Sequence, residues 1–163
     1  MVLFIKLLLI VALSLIAYQD FKERLVWWFL FPLYAFLGSY LFYINSDKNW
    51  YLVSLLINQA IIFLILLVLM IYIRVIMKKR FFREAFGLGD TLFFMAFALS
   101  FPTISFICFF FFSILATLVF WVLQKKIFKS RLQTIPLAGC MSLFSILLYF
   151  THWLNLYPSI YNM

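Results

Sequence analysis

Apolar runs long enough to cross a lipid bilayer follow one another along almost the whole of this chain, and they decide what it can fold into. A bilayer core takes about 20 residues of helix, and the runs that approach this length lie at 2–19, 25–44, 51–77, 91–101, 103–123 and 134–152. Hydrocarbon offers no water to backbone N–H and C=O groups, so such segments must be helices that close their hydrogen bonds internally. The expected fold is all-α: a polytopic membrane bundle of about six transmembrane helices in one domain over residues 1–163. The fourth run is the weak member. It stops at Ser100-Phe101-Pro102, where proline ends the helix and begins a tight return, so it is expected as a short or half helix covered by its neighbours. Composition agrees, since 68% of the 163 residues are hydrophobic and only 11% are charged, a balance that excludes a soluble globular domain.

The few charges supply an orientation. Basic residues gather at Lys22 and Arg24, at Lys78, Lys79, Arg80 and Arg83, and at Lys125, Lys126, Lys129 and Arg131. Six crossings bring all three groups to one side, which the positive-inside rule makes cytoplasmic, with both termini outside. Lys6 and Lys48 are the minor exceptions, and Arg74 can snorkel. The net charge of +8 is therefore a topology signal. It also suits contact with anionic membrane lipid, whereas nucleic acid is not an expected partner.

Against that background two acids stand out. An ionisable side chain in hydrocarbon costs roughly 2.5–3.5 kcal/mol on insertion scales, so an acid kept within or beside a span is a functional candidate. Asp20 lies where the first helix leaves the membrane, and Asp90 ends Gly87-Leu88-Gly89-Asp90 where the fourth enters it. The topology places both on the cytoplasmic side at one depth. Two carboxylates in a partly dehydrated site do not both ionise easily; one keeps a proton and the other does not. That is the charge state needed to activate water and protonate a leaving amine, as in aspartyl-protease chemistry. Gly87 and Gly89 lack side chains and permit positive φ, so the loop before Asp90 is expected to bend sharply and to admit a peptide backbone.

Three segments together resemble a known family, the GxGD membrane aspartyl proteases, and within them the type IV prepilin and preflagellin peptidases (peptidase A24-like). They are Asp20 with Phe21-Lys22-Glu23-Arg24, Phe86-Gly87-Leu88-Gly89-Asp90 after a basic loop, and Ile135-Pro136-Leu137-Ala138-Gly139 at the start of the last helix. The resemblance implies an aspartic-type endopeptidase of the inner (cytoplasmic) membrane with its active site facing the cytoplasm. Its partners would be pilin-like precursors (prepilin, pseudopilin or archaellin-like) carrying a basic leader and a hydrophobic helix, cut at the membrane boundary. Asp20 and Asp90 would be the catalytic pair, Gly87, Leu88 and Gly89 the active-site loop, and Pro136 and Gly139 a structural motif of the last helix. No metal or cofactor is implied. The chain departs from the family pattern after the first aspartate, where Leu25-Val26-Trp27-Trp28 stands in place of an Ile-Pro pair. Cys108 and Cys140 form no CxxC pair, so neither a zinc site nor the N-terminal methyltransferase domain of larger members is expected.

Other readings compete at single residues. Asp20 beside Lys22 and Arg24 also fits an interfacial ion pair, and a lone GxGD arises by chance in loops. Glu23 and Glu84 fit solvated partners of neighbouring bases, with attraction of a basic leader as a minor alternative. His152, far from the aspartates, reads as interfacial, as do Trp27, Trp28, Trp50, Tyr51, Trp153 and Tyr157. Asn58 and Gln59 in the third span suit interhelical hydrogen bonds. Lys6 and the apolar run to Ala17 resemble a signal sequence, but cleavage would remove the helix that positions Asp20, so retention is expected. For the whole chain the competing function is a small transporter or channel using the two aspartates as a proton or cation relay, with an inactive homologue as a third reading. A relay would favour acids near the midplane and a repeated half; here the acids lie at one rim and no repeat is evident.

Overall fold

A computed structural model describes residues 1–78, 87–128, 135–154 and 160–161. The described residues form six helices and no strand: α1 (Val2–Lys22), α2 (Leu30–Ile44), α3 (Lys48–Val75), α4 (Leu88–Ala98), α5 (Thr103–Phe128) and α6 (Leu137–Trp153). Helices α1, α3 and α5 each hold a stretch long and apolar enough to cross a membrane, while α2, α4 and α6 are shorter apolar helices. Lys79, Arg80, Arg83, Glu84, Phe86, Lys129, Arg131 and Tyr157 lie outside the described residues.

Helix α1 packs against α2 and α6, α4 against α2 and α3, and α5 against α6. Aromatic rings fill the centre. Tyr34 of α2 stacks on Phe93 of α4 with centroids 5.5 Å apart, and beyond them Phe97, Phe101 and Tyr149 continue the column at 5.2 and 5.6 Å. Close approach of α2 to α4 depends on Gly38, where a Cβ would collide with the Ser100 hydroxyl and come within 2.9 Å of its Cβ. Several buried serines and threonines satisfy themselves within their own helices, as Ser113 does on Phe110 O (2.8 Å) and Thr117 on Ser113 O (2.8 Å), while Ser105 reaches out to Ile160 O (2.9 Å).

The fourth helix is a half helix. Its 11 residues span about 16 Å at 1.5 Å per residue, roughly half of a bilayer core. Its carbonyl end needs partners, and α3 supplies them. Asn58 Nδ2 donates to Ala98 O (2.9 Å) and Phe101 O (2.8 Å), and Gln59 Nε2 donates to Met95 O (2.9 Å). The polar pair expected in the third span thus closes the end of the fourth. From this anchor α3 runs about 26 Å to Val75 while α4 runs back about 15 Å to Leu88, so α3 overhangs the start of α4 by about 10 Å.

The second helix begins at Leu30, five residues later than the apolar run suggests. Residues 25–29 turn the chain instead. Gln19, buried on α1, accepts the Trp27 N–H on Oε1 at 3.0 Å, and Leu30 N bonds Trp27 O at 3.1 Å. The turn therefore uses an amide hydrogen in the stretch where the family pattern carries a proline, which has none.

Candidate active site

The site is built at the N-terminus of α6. The first turn of a helix exposes backbone N–H groups with no intrahelical acceptor, and a Ser, Thr, Asp or Asn cap usually takes one. Here the N-cap is Pro136, which offers no side-chain acceptor. The donors are met from elsewhere. Gly139 N donates to Asp20 Oδ2 at 2.6 Å, and Ala138 N donates to Asp90 Oδ1 at 3.2 Å. Two carboxylates far apart in sequence thus lie side by side on successive amides of one helix end. Both are half-buried.

The electrostatics favour this arrangement. Asp20 sits in the last turn of α1, whose partial negative charge disfavours a carboxylate, but it leans onto the partial positive charge at the start of α6. Asp90, in the first turn of α4, benefits from its own helix as well. The direct partner of Asp20 is therefore the Gly139 amide. Lys22 is engaged elsewhere, its Nζ donating to Tyr18 Oη at 2.9 Å, while Arg24 acts on both carboxylates through its charge.

Gly139 is required for closeness. A Cβ there would stand 3.0 Å from Asp20 Oδ2, 3.2 Å from Asp20 Cβ and 3.2 Å from Phe21 Cε2. Gly87 and Gly89 act differently from the sequence expectation. No glycine has positive φ. Gly87 is the extended N-cap of α4, with φ −74° and ψ 141°, and Leu88, Gly89 and Asp90 already belong to the helix, so no sharp bend is needed. Their smallness is what matters: a Cβ on Gly87 would lie 3.1 Å from Asp90 Oδ2, and one on Gly89 would touch the Phe31 ring at 3.4 Å. Leu88 is exposed beside them.

Sequence reasoning singled out Asp20, Asp90, Pro136 and Gly139 but not the hydrogen bonds joining them. The available signal was the apolar, capless start Ile135-Pro136-Leu137-Ala138, a helix end in need of acceptors. It also overlooked Gln19. His152 lies at the far end of α6, against the Tyr161 ring at 5.6 Å, and takes no part in the site. A cavity of about 890 Å³ is likewise remote, lined by residues such as Asn45, Asp47, Trp50 and Pro102. A smaller hollow of about 480 Å³ lies against α1 and α6 beside Asp20, lined by Ser14, Ala17, Tyr18, Phe21, Lys22 and Leu143.

Comparison with known proteins supplies a family. Residues 7–122, which include both aspartates and the glycines before Asp90, fit the model of the type IV leader peptidase family. No curated protein and no solved structure matches the chain significantly. The match covers well over half of the sequence, and the apolar helices suit a peptidase that works in a membrane: the chain belongs to the type IV leader peptidase family.

Proposed function

We propose that this protein is an aspartic-type endopeptidase that removes the basic leader from type IV pilin-like precursors at the cytoplasmic face of the inner membrane, with Asp20 and Asp90 as its paired catalytic acids. The observation that carries the reading is the meeting of both carboxylates on the successive amides of Ala138 and Gly139. At this spacing one carboxyl holds a proton and the other is ionised. The ionised group takes a proton from water as the water oxygen adds to the scissile carbonyl carbon, and the protonated group gives its proton to the carbonyl oxygen. A proton then passes to the amide nitrogen, the C–N bond breaks, and the new carboxyl and amine depart with the two acids returned to their starting state. Each step uses only the carboxylates and water.

The hollow beside Asp20 suits the substrate's hydrophobic helix. Its small floor residues, Ser14 and Ala17, lie on the α1 face that leads to Phe21 and Lys22. The leader would then cross the interface toward the two acids, and the start of α4 at Gly87, Leu88 and Gly89 would border the peptide. The test is leader cleavage of a panel of pilin-like precursors in membranes. Asp20→Asn and Asp90→Asn, which keep shape and remove the ionisable proton, are each expected to lower cleavage by at least about 100-fold while insertion is unchanged. Cleavage that survives either substitution would overturn the paired-acid mechanism.

A further inference from the structure

Arg24 is placed against its usual habit. Basic residues at a membrane rim extend toward headgroups and water, and Lys22, two positions earlier, is exposed. Arg24 instead adopts a left-handed backbone, φ 57°, which residues bearing a side chain seldom take. Its side chain is half-buried, and among the described residues Nη1 has no hydrogen-bond partner and next to no exposed surface. The guanidinium lies near enough to Asp20, Asp90 and Cys140 for its charge to act on each of them.

The site therefore holds two acceptors engaged by backbone amides and a cation whose buried Nη1 meets no acceptor among the described residues. Buried donors are nearly always satisfied, and a charged one left unsatisfied is the least tolerable kind. The acceptor it lacks is one that a polypeptide brings in abundance. We propose that Arg24 contacts the substrate: Nη1 donates a hydrogen bond to a main-chain carbonyl oxygen of the precursor at or beside the scissile bond, fixing that bond against Asp20 and Asp90. The inference rests on the peptidase reading given above. The guanidinium keeps its proton throughout; it orients the peptide and transfers nothing. Arginine suits the task better than lysine because its planar fork can face the carboxylates along one edge and a carbonyl with another nitrogen.

Two variants separate this role from a purely structural one. Arg24→Gly takes positive φ without strain, so it removes the guanidinium while easing the turn; Arg24→Asn, which also tolerates that conformation, serves if the glycine variant does not accumulate. In leader cleavage by the full chain in membranes, kcat/KM of Arg24→Gly is expected to fall about 10- to 100-fold, the worth of a hydrogen bond from a charged donor. Added ethylguanidinium should restore part of the loss. Cleavage within about 2-fold of wild type, or a loss that ethylguanidinium leaves unchanged, overturns the proposal. Asp20→Asn in the same assay keeps the two readings apart. If wild type cuts, Asp20→Asn does not, and Arg24→Gly cuts normally, only the role of Arg24 falls; an uncut precursor with wild type, or a cut one with Asp20→Asn, removes the peptidase reading and this inference with it.

Discussion

A single methyl group at position 139 would test how tightly the two acids are held. The Cβ of Gly139→Ala would press on Asp20 from 3.0 Å and on Phe21 from 3.2 Å, neither at a distance ordinary packing accepts. Asp20 must then shift by a few tenths of an ångström against the amide it now meets at 2.6 Å. Displacements of about 1 Å at a reacting group can cost about 100-fold in rate, so the smaller shift forced by Gly139→Ala should lower leader cleavage by about 3- to 10-fold while the protein still inserts and unfolds normally; unchanged cleavage would mean that this contact does not set the geometry. The two aspartates were legible in the sequence because charge is so rare in it. Arg24 was legible as a topology signal, as an interfacial ion-pair partner of Asp20 and as part of the first family segment, but not as a half-buried residue, because its direction was decided by a backbone angle that no residue pattern announces.

At the level of elements, the half helix α4 is the least self-sufficient part. Its last carbonyls depend on Asn58, and replacing that residue by leucine leaves Ala98 O and Phe101 O without their donor. Asn58→Leu is expected to destabilise the fold by about 1–3 kcal/mol, read as a lower midpoint of thermal unfolding in detergent, with cleavage by the surviving folded protein close to normal. An unchanged midpoint would assign the anchoring of α4 to packing alone. Gln19→Leu should act locally, freeing the Trp27 amide and loosening the turn into α2, which would appear as faster proteolysis within residues 23–29. The number and order of helices were readable from hydrophobic length, and so was the shortness of α4, because proline at 102 ends it. The start of α2 was not. Leu25 to Phe29 are as apolar as the helix that follows, so composition gave no boundary; the boundary comes from Gln19, a polar residue buried on another helix.

For the whole molecule the positive-inside argument makes a directional claim. With Cys108 and Cys140 replaced by serine, a cysteine at the exposed position 47, between α2 and α3, should react with a membrane-impermeant maleimide in intact cells. A cysteine at the exposed position 78, after α3, should react only once the membrane is opened, and the reverse pattern would invert the assigned topology. The overhang of α3 past the start of α4 sets Asp90, in the first turn of α4, back from the end of the longest helix, with Asp20 beside it on the α6 amides. Their shared seat on α6 has a further effect. A ligand that imitates the hydrated peptide bond must compete with the Ala138 and Gly139 amides for the same carboxylate oxygens. Deuterium uptake at those two amides, slow while the acids hold them, should therefore rise when such an inhibitor binds, which makes the first turn of α6 a built-in occupancy gauge for a site with no chromophore of its own.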